Sequence, residues 1–261
     1  MTFDMNQNVP AVPEENLPDV KISGSGQIAG GNYGVVHISG SGHYSGDIRC
    51  REVHASGSLK GEGSITASEE FHVSGSFKGV GDLTASEVHI SGSAAVGGAV
   101  SCREELHTSG SVRCQSITAK NIHVSGRVET AGDVEGDEVR ISGSGTIGGL
   151  LNAENIEIKA SDGLAAGSRL LIGFIGGSKV RVTISGAGGF FRRVIGRNPR
   201  SVPFVVTETI EGDEIDIDSV SALRVSGRDV VIGSGCEIKS VEYSGSLIIE
   251  EGAVVGEQRK I

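Results

Sequence analysis

Apolar and polar residues alternate along the first half of the chain in short triplets, each ending at a Ser-Gly dipeptide. Val36-His37-Ile38 runs into Ser39-Gly40, Val53-His54-Ala55 into Ser56-Gly57, and Phe71-His72-Val73 into Ser74-Gly75. Val88-His89-Ile90, Leu106-His107-Thr108, Ile122-His123-Val124 and Val139-Arg140-Ile141 repeat the arrangement. Alternation with a period of two predicts a strand with one buried face, and such short runs cannot make a helix. The serines at Ser23, Ser39, Ser56, Ser74, Ser91, Ser109, Ser125 and Ser142 recur at gaps of 16 to 18 residues. A second apolar position follows in each unit at Ile48, Ile65, Leu83, Val100, Ile117 and Val134. Two residues beyond it stands a column of small ones: Cys50, Ala67, Ala85, Cys102, Ala119 and Gly136.

Units of this length, holding several short strands and Gly corners, predict an all-β fold. The architecture is a parallel β-helix (β-solenoid) of about 17 residues per coil. One coil buries little alone; stacking at about 4.8 Å makes the coils one core. Ser-Gly-Ser is read as the corner, with Gly admitting positive φ and Ser bonding to nearby backbone. The expected organisation begins with a Pro-containing disordered tail at 1–19 and regular coils over 20–160. Irregular coils follow over 161–209, with an inserted loop near 186–203, then C-terminal coils over 210–256 and a short tail at 257–261.

Composition sharpens this reading. Gly numbers 41 and Trp is absent, which suggests an interior too thin for large rings. The net charge of −10 disfavours nucleic acid as a partner, because phosphate contacts need an excess of Lys and Arg. No apolar run is long enough for a spanning helix, and the first residues lack a signal-peptide pattern. Four Cys without paired spacing fit a reducing cytoplasm.

The repeated apolar-x-apolar-Ser-Gly-Ser coils resemble those of the bactofilins, polymer-forming bacterial cytoskeletal proteins. The stretch from Thr209 to Ile215 and the tail from Cys236 to Val255 add to the resemblance. It implies a right-handed β-helix that assembles end to end into filaments without nucleotide. Such filaments serve as scaffolds, often at the membrane, for cell-envelope, shape or motility machinery. The expected partners are further copies of the chain, a related co-polymer subunit, and a peripheral membrane or cell-envelope protein contact. The expected location is the cytoplasm, at the inner face of the cell membrane.

Physics points the same way, since the outermost coils of a solenoid are open sheet edges. Val20 and Ile22 in the first coil, and Leu247, Ile249 and Val254 in the last, are therefore the candidate assembly residues. Phe190, Phe191, Arg192 and Arg193 unite rings with cations and are the candidate membrane or partner contact. Six histidines, His37, His54, His72, His89, His107 and His123, share one outward column beside Glu52, Glu70, Glu87 and Glu105. That column reads as a solvated face, with a metal-binding or pH-responsive surface as its functional alternative. Gly143-x-Gly145-x-x-Gly148 matches a dinucleotide fingerprint but precedes no helical pattern, and a P-loop is lacking. No catalytic, cofactor or metal residue is assigned, and the chain is expected not to be an enzyme. A monomeric or surface-exposed binding or adhesin module is the alternative.

Overall fold

The computed structural model describes residues 17–161, 169–185 and 203–261, and within them every regular element is a β-strand. All recorded strand pairings are parallel, and the paired strands belong to successive coils about 17 residues apart, as in a β-solenoid. Two compact units divide at Glu129/Thr130.

In the first unit, one ladder carries the residue before each histidine. Val20 pairs with Val36, then Val53, Phe71, Val88, Leu106 and Ile122 follow in register. A second ladder runs Ser41, Ser58, Ser76, Ser93 and Ser111, and a third runs Ile48, Ile65, Leu83, Val100 and Ile117. Period-two alternation turns Val36, Val53, Phe71, Val88, Leu106 and Ile122 inward, where each is almost wholly buried. The same parity leaves all six imidazoles of the neighbouring column half-buried on the outside.

Two expectations about the coil interior need correction. The glycines of the repeated corner dipeptide, such as Gly40, Gly57 and Gly75, are not at positive φ; that conformation belongs to glycines elsewhere in the coil, such as Gly46 and Gly63. They are glycine because the chain passes too close to itself. A Cβ at Gly57 would stand 1.9 Å from the carbonyl oxygen of Gly40 in the preceding coil, and Gly75 meets Gly57 at the same distance. Nor is the interior closed to rings. Tyr44, Phe71 and Phe77 are buried in it, with the two Phe rings edge to face at 5.0 Å. Tyr44 fits because the next two coils carry Gly61 and Gly79 in its column, where a Cβ would lie within 2.6 Å of Tyr44 atoms.

In the second unit, Val139, Ile156, Val180, Ile215, Val230 and Leu247 form a continuous ladder. Their spacings of 17, 24, 35, 15 and 17 residues explain why the sequence period falters over 161–209. The strands Leu170–Ser185 and Val205–Ile217 stay in register with their neighbours; the extra length lies in the connections. The interior of the inserted loop, 186–202, is outside the described residues. A third correction concerns 257–261. Strand Val254–Lys260 continues the sheet through this stretch, with Glu257, Gln258, Arg259 and Lys260 laddered onto Ser240, Val241, Glu242 and Tyr243. Main-chain hydrogen bonding does not require apolar side chains, so a polar run can still be strand.

Candidate functional site

Two features stand out, the coil edges and the histidine column. At the edge of the first unit, strand Val20–Ile22 pairs with Ser25–Ile38 alone among the described strands. Val20 and Ile22 head the inward columns that continue through Val36 and Ile38, yet they are only half-buried where those partners are 0% exposed. At the edge of the second unit, Leu247 and Ile249 extend the columns of Val230 and Ile232. Ile249 is 37% exposed and Ile232 0%. Among the described strands, Leu247–Ile249 pairs with Val220–Ile232 alone.

Val254 behaves differently from the other candidates. It pairs with the exposed Glu237, so its side chain lies on the outer face, and Val255 is the residue that continues the buried column of Ala222 and Ile238. Ile248 also lies on the outer side, 54% exposed. Phe190, Phe191, Arg192 and Arg193 fall outside the described residues.

The histidine column is a continuous stack. Successive ring centroids from His37 to His123 are 6.4, 6.1, 6.2, 6.2 and 6.3 Å apart. Carboxylates accompany the rings from their own strands. His54 Nε2 lies 2.9 Å from Glu52, His72 Nδ1 3.4 Å from Glu70, and His89 Nε2 3.5 Å from Glu87. The last step departs from this pattern, because Glu105 reaches across to His123 Nδ1 at 3.8 Å. Cross-coil ion pairs such as Arg113–Glu129 and Arg224–Glu211 line other outer positions. Exposed pairs of this kind contribute roughly 0–1 kcal/mol each.

Cysteine chemistry is suppressed. Cys50, Cys102, Cys114 and Cys236 are all buried free thiols. Burial pushes Cys50 and Cys114 up to about 12, with Glu52 adding to the effect at Cys50, so neither is a thiolate at neutral pH. The residues that sequence reasoning missed are aspartates. Asp19, Asp47, Asp82, Asp133 and Asp229 each accept a main-chain N–H from the following coil. Each donor is preceded by Gly, and the spacing is 16 or 17 residues, a signal present in the sequence.

No helix among the described residues is long and apolar enough to cross a membrane. No protein-family model matches the chain, and no solved structure gives a significant match. Over 115 residues it is 33% identical to the uncharacterized protein YhbE of Bacillus subtilis (strain 168), a stretch covering 44% of each protein. Over 113 residues it is 27% identical to the uncharacterized protein YhbF of the same organism, covering 43% of this chain and 42% of that one. The chain thus spans less than half the length of the curated relatives it matches, and both similarities are to uncharacterized bacterial proteins.

Proposed function

We propose that the protein is a self-assembling bacterial scaffold that polymerises, without nucleotide, by stacking the terminal coil of one copy on that of another. The observation that carries this reading is the pair of coil edges left without a further strand among the described residues. Val20 and Ile22 on one, and Leu247 and Ile249 on the other, present inward columns buried in every coil that has a neighbour on both sides. Completing these columns would bury apolar side chains worth on the order of 2 kcal/mol each, and would pair main-chain groups left open at the edge. The bactofilin-like repeat supports the same assembly, as well as a role in organising cell-envelope, shape or motility machinery. On this reading the filaments lie in the cytoplasm, held at the inner face of the membrane through the Phe190–Arg193 segment, and the protein is not an enzyme.

A polar last strand favours a second reading, a monomeric or surface-exposed binding module. Gln258 occupies the column held by Val241, and Glu257, Arg259 and Lys260 flank it. Charged edge strands discourage strand addition. Negative-stain electron microscopy of purified protein at neutral pH, without nucleotide, separates the two. The scaffold reading expects thin unbranched filaments, which Ile22→Lys or Ile249→Lys shortens to dispersed species. Dispersed wild-type particles would transfer support to the binding module, and filaments of unchanged length in both variants would overturn stacking through these edges.

A further inference from the structure

We propose that Glu105, His107 and His123 form a site for one divalent transition-metal ion, best matched to Zn²⁺, that ties two adjacent coils together. One ligand atom from each of the three lies within 4.8 Å of the others, and all three residues are half-buried. Glu105 and His107 stand two residues apart on strand Val100–Thr108, so both project from its outer face. His123 is the register partner of His107 on strand Asn121–Val124 of the next coil. Two imidazoles and a carboxylate are a donor set that suits zinc, which commonly takes three protein ligands and leaves a fourth position to water. Around a tetrahedral ion with bonds of 2.0–2.2 Å the donors stand about 3.3 Å apart. Side-chain rotation closes the remaining gap, since the sheet register has already brought the three together.

The rest of the ladder does not offer the same arrangement. In the coils before it, Glu52, Glu70 and Glu87 each lie beside the histidine of their own strand. The register partner of Glu105 is Asn121, so the carboxylate column is interrupted there, and Glu105 lies beside the ring of the next coil, His123. The ammonium of Lys120 pairs with Glu104, 3.6 Å away, instead of with Glu105. The rings of His107 and His123 meet at 70°, against 37° to 46° at the four steps before. Among the described residues this is the one group of three possible donors so placed.

An ion here would bind the folded coil pair in preference to the unfolded chain, in which His107 and His123 are 16 residues apart. The site is independent of filament formation. Calorimetric titration of the full chain with ZnCl₂ at pH 7.5, paired with thermal melting, tests it. The expected result is close to one ion per chain, a melting point raised by several degrees, and at least tenfold weaker binding in Glu105→Gln and His123→Gln. His54→Gln, three coils away in the same ladder, should bind zinc as the wild type does. The variants change outer-face side chains, so metal-free melting will report whether their folding is intact. No uptake at micromolar zinc would overturn the proposal. So would uptake of several ions per chain, weakened equally by His54→Gln, since that is the behaviour of an undifferentiated imidazole surface.

Discussion

Asp82 Oδ1 accepts the main-chain N–H of Ala99, 17 residues further along, at 2.9 Å. The bracket closes a corner where the strand ladders are interrupted and a main-chain donor would otherwise lack a protein partner. Gly98 makes it possible, because a Cβ there would lie 2.0 Å from the same carboxylate oxygen. The arrangement recurs at Asp133, Gly149 and Leu150, and at Asp229, Gly245 and Ser246. Asp82→Ala is expected to cost about 1 kcal/mol, the usual net worth of a hydrogen bond to an exposed corner. Asp82→Asn should cost less, since its amide oxygen can still accept. Urea denaturation of the two variants measures both.

The bracket made by Asp229 is pH-dependent. Its carboxyl is held below the ordinary carboxylate range, first by the side-chain hydrogen bond from Arg228 and then by those from Ser246. A depressed folded-state pKa contributes stability that is present above the unfolded value of about 3.9 and is lost as the pH falls through the folded one. Glu129, lowered by Arg127 and Arg113, acts in the same direction. Thermal melting should therefore weaken below about pH 4. Asp229→Asn should flatten part of that acid limb while leaving the neutral-pH slope unchanged.

Gly57→Ala should be far more damaging than its size suggests. The new methyl carbon would lie 1.9 Å from the Gly40 carbonyl oxygen, and a backbone atom cannot swing aside without parting the coils. The expected loss is about 3 kcal/mol or more, against roughly 0.5 kcal/mol for Ser56→Ala at the exposed neighbour. Equal melting points for the two variants would show that close packing is not what keeps glycine at the corner.

Thr108 stands in a buried column otherwise formed by residues such as Val73 and Ile90, and its hydroxyl has no hydrogen-bond partner. Thr108→Val preserves the shape and removes the stranded polar group. It is expected to stabilise the protein by about 1 kcal/mol, read as a shift in the urea midpoint at unchanged slope.

The coil repeat was legible because its cause is local. Alternation decides which side of a strand is apolar, and the recurring Ser-Gly marks where each coil turns, so the all-β solenoid and the outward histidine column followed from residues such as Val53, His54 and Ala55. The same local logic misplaced other features. The polar run 257–260 looked like a tail because strand pairing through the main chain leaves no apolar trace. The stretch over 161–209 looked irregular because longer connections hide a register that only pairing restores.

What the sequence determined by itself is therefore the fold class, the coil length and the two-sidedness of each strand, all set by neighbours a few residues apart. The tertiary structure decided what depends on distances between coils. It showed that Gly57 faces a carbonyl oxygen rather than adopting positive φ, and that Tyr44 occupies space freed by Gly61 and Gly79. It set Val255 rather than Val254 in the buried column, and it brought Glu105 to His123 across a coil boundary. These relations join residues 16 or more positions apart, or turn on the phase of a strand within its sheet, and register fixes both.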